Sequence, residues 1–327
     1  MPKTIDIAGA RALLHTRGEL MERGLTERQV RGLVETKTLR KVRRGRYIFA
    51  DDWNSLWNEG RHLVEVVAAH LNSEGSGLVF WGPSAAVIHA LPLYRHAPDV
   101  VHVATTDARH GRARAKIRWH NVAVSEIDII EIDGIMCTTI DRTVLDLARS
   151  LKPEAAISAA DAALHAYATT GSVHNEDLAR QWRERMQDRA ERLHGRGIRQ
   201  ARRVIAFADG RAQSPGESVS RLHLSRLGFT NYDIQIHVVG AAGNDYWLDF
   251  GFLGARCFGE FDGKDKYVDE VMTRGRTTQE VILAEKRRED DIRGVTGWRT
   301  ARWGSSDIAT VDVFGDRLAA FGIRPPG

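Results

Sequence analysis

The sequence predicts a multidomain α/β protein, and three features carry that expectation. The chain has 327 residues, enough for two or three domains that each bury a full core. Helical periodicity alternates with short apolar strands from about residue 59 onward, the pattern of layered helices and sheets. Turn residues and charge runs divide the chain into 1–57, 58–174, an Arg-rich helical linker over 175–213, and 214–327. No apolar run reaches membrane-spanning length and the N-terminus lacks a secretory apolar segment, so a membrane partner is not expected and a cytoplasmic location is. Cys137 and Cys257 lie in apolar strands without metal-ligand spacing and read as small buried side chains in a reducing compartment.

Net charge is only +4, but the basic residues are bunched. Arg31, Lys37, Arg40, Lys41, Arg43, Arg44 and Arg46 crowd one short segment, and a second run extends from Arg180 to Arg203. Bunching of this kind points to a polyanionic partner. The second run is interleaved with Glu184, Asp188 and Glu191 and fits a solvated helix face better than the first does.

The segment 1–57 reads as a winged helix. Thr26-Glu27-Arg28-Gln29 has the form of a capping box, and Val30, Leu33 and Val34 then share one stripe of the helix it starts. Leu39–Val42 and Tyr47–Ala50 flank Arg43-Arg44-Gly45-Arg46, a hairpin with an almost wholly basic tip. An apolar-backed helix followed by such a hairpin suits docking on duplex DNA, with Arg28, Arg31, Arg40, Lys41, Arg43, Arg44 and Arg46 as candidate contacts. A small helical cap with merely exposed arginines has the same pattern. The run Leu25 to Tyr47 resembles the N-terminal domain of the abortive-infection (type IV) antitoxins. That resemblance implies binding to a duplex, for instance the protein's own promoter.

The segment 58–174 is similar to the same antitoxin family through Gly82-Pro83-Ser84-Ala85-Ala86, Arg142–Ala148 and Asp161–Leu164. Its helices alternate with the strands Val100–Ala104, Ile117–His120 and Ile135–Thr138. It has no phosphate-binding glycine loop and no nucleophile–base arrangement, Arg142 and Asp146 have the spacing of a helical ion pair, and its histidines lack zinc-ligand spacing. The segment reads as scaffold or interaction domain, and the resemblance implies a cognate toxin protein as a partner. Glycines in His194-Gly195-Arg196-Gly197 predict a bend in the Arg-rich stretch that follows.

The segment 214–327 reads as helix, three strands, helix and strand, opened by Ser214 as cap with Pro215 at the first helical position. Its strands, Ile234–Val239, Tyr246–Phe252 and Arg256–Asp262, hold acids among phenylalanines: Asp249 in the second, Glu260 and Asp262 in the third. Residues two apart in a strand project to one face, and a carboxylate in apolar surroundings requires a cation. A divalent metal is one candidate. The pattern S-P-G-E-S-x-x-R, Gln235, L-D-F and G-E-F-D-G-K-x-K-Y resembles the PD-(D/E)XK nucleases, and within them the very-short-patch-repair endonucleases. The resemblance implies a restriction-endonuclease-like α/β domain, with Glu217, Asp249, Glu260, Asp262 and Lys264 as catalytic candidates. Asp249 and Glu260 are the expected metal ligands and Mg²⁺ (or Mn²⁺) the cofactor, which polarises a phosphoryl oxygen and activates a water.

The pattern departs from that family at one point, because Asp262 stands where it has lysine two residues after the strand acid. Lys264 and Lys286 are the two substitutes in reach. Glu217 also fits a capping box with Ser214 or a pair with Arg221, and Asp262-Gly263 also fits a turn. Two functions therefore follow from the sequence: a metal-dependent DNA endonuclease delivered by a winged helix, or a non-catalytic antitoxin-like repressor.

Overall fold

In the computed structural model, which describes residues 3–73, 77–105, 116–263 and 278–326, the chain is a multidomain α/β protein that divides into two units. One comprises Met1–Ala163 and Arg183–Phe207, the other Leu164–Trp182 and Ala208–Gly327. The Arg-rich stretch is thus shared out between the units.

The first unit opens with α1 (Ile7–Ala12), β1 (His15–Thr16), α2 (Arg17–Glu22), α3 (Glu27–Glu35), β2 (Leu39–Arg43) and β3 (Arg46–Phe49). Thr26 starts α3 as the sequence predicts: its Oγ1 accepts the Gln29 N–H at 3.3 Å, while Gln29 Oε1 accepts the Thr26 N–H at 2.8 Å. Strands β1, β3 and β2 form a small antiparallel sheet. Leu20, Val30, Leu39 and Tyr47 close a core beneath it, so each element buries one face and leaves the other to solvent. The β2–β3 register shifts between Lys41 and Arg43, a bulge that turns Val42 inward and leaves the consecutive Arg40 and Lys41 both outward.

After α4 (Ala50–Asn54) and α5 (Asn58–Leu71) come β4 (Val79–Phe80), α6 (Pro83–Ile88), β5 (Val101–Thr105), β6 (Ile117–Asn121), β7 (Ile129–Ile132), β8 (Ile135–Thr138) and α7 (Ile140–Ser150). The strands form a mixed sheet in the order β6-β5-β4-β8-β7, in which β4 and β7 add to the three strands expected. Arg142 is buried and is more than one half of a helical pair, reaching Asp146 at 2.8 Å and Asp128 at 3.3 Å. The division between units falls within α8 (Pro153–Ala168) and α9 (Glu176–Arg192), whereas α10 (Ile198–Phe207) belongs whole to the first. Arg189 of α9 meets Asp128 at 2.5 Å and Arg185 meets Asp141 at 3.2 Å, so part of the second basic run is spent inside the unit. Between α9 and α10, Gly195 and Gly197 take φ values of +94° and +81° at the predicted bend. Gln200 Nε2 ties α10 to α7 by donating to the carbonyls of Ala148 and Leu151, both at 2.8 Å.

The second unit contains the hairpin β9 (Thr169–Thr170) and β10 (Val173–His174), then α11 (Pro215–Arg226), β11 (Asp233–Val239), β12 (Asp245–Phe252), β13 (Cys257–Asp262), α12 (Thr278–Thr296), β14 (Arg299–Gly304) and α13 (Val311–Ala320). From α11 to β14 this is the order read from the sequence. The sheet runs β11-β12-β13-β14, antiparallel until the last pair, which is parallel. One face packs Val238, Leu248 and Phe258 against Ile292 of α12. On the other, Trp303 packs against Phe250 and against Phe314 of α13, with ring centroids 5.2 Å apart in each case, and its indole N–H donates to Ser220 Oγ of α11 at 2.9 Å. Gly259 lets that indole settle on the strand, since a Cβ there would lie 2.3 Å from it.

Cys137 and Cys257 are buried and unbridged, and burial pushes the Cys137 thiol up to about 12. Among the described residues no helix is long and apolar enough to cross a membrane.

Candidate functional site

Two clusters hold the residues singled out by the sequence, one in each unit. In the first, Arg28 and Arg31 stand on the outer face of α3, Arg40 and Lys41 on the bulged outer edge of β2, and Arg44 at the hairpin tip; all five are exposed. Arg40 is braced by Trp53, whose ring lies 4.1 Å from its guanidinium carbon. The other two candidates are turned differently. Arg43 donates to the carbonyl of Glu65 at 3.3 Å and to that of Lys116 at 3.2 Å, and burial pulls its pKa down against the charge of Glu65. Arg46 Nε donates to Asn72 Oδ1 at 3.2 Å, and Asn72 Nδ2 donates in turn to the Arg44 carbonyl at 2.8 Å. Arg43 and Arg46 thus fasten the hairpin to α5 and its C-terminal end, a role that reading the tip as uniformly basic does not reveal.

In the second unit the expected acids within the described residues each have protein partners. Glu217 is only 2% exposed and closes a network of its own at the start of α11. Its carboxylate accepts from Ser214 Oγ at 2.7 Å, from the Gln213 N–H at 2.9 Å and from Gln235 Nε2 at 3.1 Å. Ser214 caps α11 by accepting the Glu217 N–H at 3.2 Å, but the Glu217 carboxylate takes the Gln213 N–H in place of the Ser214 N–H that a capping box requires. Gln235, which also donates to it, has a φ of +53° that marks a left-handed break in β11. Asp249 accepts the Phe261 N–H at 2.8 Å, joining β12 to β13 just beyond the last paired rungs, Phe250 with Gly259. Lys264 lies outside the described residues.

Glu260 is 12% exposed at its side chain and is held at both oxygens by guanidinium groups. Oε1 accepts from Arg288 Nη2 at 2.6 Å, and Oε2 lies 3.0 Å from Arg302 Nη2. Arg302 also faces Asp262 at 3.8 Å, Glu289 at 2.8 Å and, in closer contact, Glu285. Parallel pairing sets Glu260 directly beside Arg302. Helical spacing puts Glu285, Arg288, Glu289 and Ile292 on one stripe of α12 facing the strands, whereas Lys286 is exposed. Burial alone would raise the Glu285 carboxyl, but the hydrogen bond from Arg302 and the charges of Arg288 and Arg302 hold it below its ordinary range. Burial likewise works against the charged form of both arginines, and their carboxylate partners more than offset it, raising both.

Arg288 and Arg302 are the residues the sequence reading missed. The signals available were the 285-288-289-292 phase of the helix and the polar Arg302 between Ala301 and Trp303. Among the described residues no group of three or more His, Cys, Asp or Glu side chains is placed to hold an ion. The Glu260 oxygens that would ligate one are already committed to nitrogen donors.

No protein-family model matches the chain. Two proteins of Mycobacterium tuberculosis, uncharacterized protein MT2308 of strain CDC 1551 / Oshkosh and uncharacterized protein Rv2248 of strain ATCC 25618 / H37Rv, are each 30% identical to it over 131 residues. That stretch is 40% of this chain and 44% of each relative, so the chain spans less than half the length of the curated relatives it matches.

Proposed function

We propose that the protein binds duplex DNA through α3 and the β2–β3 hairpin, and that it acts by recognition rather than cleavage, as an antitoxin-like repressor does. The observation that carries this reading is the row of exposed cations, Arg28, Arg31, Arg40, Lys41 and Arg44, on elements whose opposite faces are buried. Rigid backing matters because phosphate contacts fix register only when the elements bearing them are themselves fixed. The order α1-β1-α2-α3-β2-β3, with a three-stranded sheet, supports the winged-helix reading. In such a module a helix enters the major groove and the hairpin meets the backbone. For the second unit, the order α11-β11-β12-β13-α12-β14 supports a PD-(D/E)XK-like fold, while the arginine pairing of Glu260 favours the repressor over the endonuclease.

The test is fluorescence anisotropy of the full chain against a duplex of random sequence, beside the variant with Arg28, Arg31, Lys41 and Arg44 all replaced by alanine. Loss of binding in the folded variant is expected, and equal binding by both proteins would refute the interface. Supercoiled plasmid incubated with Mg²⁺ or Mn²⁺ should stay intact. Cleavage by the parent and not by Glu260→Ala would replace the repressor reading with the nuclease one.

A further inference from the structure

We infer that guanidinium groups, Arg302 above all, occupy the place in the Glu260–Asp262 centre that the nuclease resemblance gives to a divalent cation, making it a closed structural ion-pair centre. This inference is independent of the DNA-binding reading, which rests on the other unit.

The geometry is set by three elements that meet at Glu260. Strand β13 carries Glu260 and Asp262 two residues apart, and β14 runs parallel beside it with Arg302 at the rung of Glu260. Helix α12 brings Arg288 to the free side of the same carboxylate. Each Glu260 oxygen thereby has its own guanidinium nitrogen, one in a charge-assisted hydrogen bond at 2.6 Å and one in an ion pair at 3.0 Å. The same Nη2 of Arg302 also meets Glu285 and Glu289, and its Nη1 lies 3.8 Å from Asp262, so one planar cation faces four carboxylates from two elements. Arg288 is bound just as fully, through Glu285 at 3.0 Å and the Trp247 carbonyl at 3.1 Å.

A divalent ion entering here would have to strip these donors from Glu260. It would then lie beside two partly buried guanidiniums whose own partner it had taken. Breaking a buried pair in that way leaves a charge uncompensated and is strongly unfavourable. Mg²⁺ is a poor competitor, because it requires near-octahedral oxygen ligation and gives up its waters reluctantly. A guanidinium does not supply what the metal would: it stays protonated and offers no ligated water to ionise. The chemical consequence is a centre that joins α12 to the sheet and lacks the means to activate a nucleophile.

The two alternatives differ in the sign of one substitution. In a closed ion-pair centre, Glu260→Gln removes the charge that two guanidiniums face and turns one of the two acceptor oxygens into a donor, which destabilises the fold. In an empty metal site, the same change relieves repulsion between carboxylates and stabilises it. The experiment uses the full chain and compares the melting temperatures of the parent and Glu260→Gln in EDTA, then, with the EDTA removed, titrates each with Mn²⁺ and follows the free-ion EPR signal. The expected results are a fall of at least about 4 °C for the variant and no Glu260-dependent uptake of Mn²⁺. A melting temperature that rises in EDTA, or one Mn²⁺ bound per parent chain and lost in the variant, would overturn the inference. Should Glu260→Gln fail to fold, that outcome supports the structural role, and the parent's Mn²⁺ titration alone still decides whether a metal binds.

Discussion

If the exposed cations of α3 and β2–β3 contact phosphates, affinity must fall with salt by an amount the structure fixes. Five side chains are free to reach a backbone: Arg28, Arg31, Arg40, Lys41 and Arg44. Arg43 and Arg46 are left out of that number because they are bound to α5, to Lys116 and to Asn72. Each neutralised phosphate contributes about −0.9 to the slope of log affinity against log salt, so five predict a slope near −4.5, roughly a 500-fold loss between 50 and 200 mM salt. Had all seven basic residues taken part, the slope would be about −6.3. Replacing Arg28, Arg31, Lys41 and Arg44 by alanine leaves Arg40 and should flatten the slope to about −1. The assay is anisotropy of a labelled random duplex at four or more salt concentrations, with the circular dichroism of each variant showing that it folds. A parental slope shallower than about −2 would refute the phosphate count, and a slope indifferent to the substitutions would refute the surface.

Further predictions follow from the same contacts. Arg43→Ala should lower stability by about 1–3 kcal/mol, since it strips donors from two backbone carbonyls and removes the packed side-chain stem; Arg44→Ala should weaken DNA binding and leave the melting temperature unchanged. Gly259→Ala should cost about 1–3 kcal/mol in urea denaturation, because its methyl group would displace the Trp303 indole from the strand. The two units should also respond differently to acid. Burial, and next the neighbouring His120, hold His102 down at about 3 from an ordinary 6.5. A histidine depressed on folding gives stability that is full above 6.5 and lost as pH falls from there towards 3, at most about 5 kcal/mol for this shift. Glu285, depressed from 4.5, holds its contribution until pH falls below that value. Hydrogen exchange followed peptide by peptide at pH 5.5 should therefore show β5 and β6 loosening before α12 and β14, and the reverse order would contradict both assignments.

Local chemistry was the most legible part of the sequence. The capping box at Thr26, the cap at Ser214, the apolar stripe of α3 and the glycine bend before α10 all depend on residues a few positions apart, and all stand where the sequence indicates. Strand β4 was not legible, because two residues carry too little alternation to register as a strand. At the basic hairpin, composition gave the charge but not its direction. The bulge at Val42 decides that Arg40 and Lys41 face outward together, and the placement of α5 decides that Arg43 does not. On α12 the sequence shows Lys286, Arg287 and Arg288 in succession, and the helical phase that continues to Ile292 selects Arg288. Only that phase shows which of three consecutive basic residues faces the sheet.

Glu260 marks the boundary of what a sequence can establish about such a centre. A carboxylate flanked by phenylalanines must have a cation nearby, since desolvation without one costs several kcal/mol. That requirement says nothing about whether the cation is a metal or a side chain. The answer lies in the β13–β14 pairing, which joins residues 42 positions apart and is fixed by a register that no local pattern encodes. One step of that register would put Trp303 or Ala301 beside Glu260 and turn Arg302 out of line with it. The acids would then need a partner from elsewhere. The same acidic pattern can therefore build a metal centre in one register and an arginine-tied brace in another, so the neighbouring strand, more than the acids themselves, decides the chemistry.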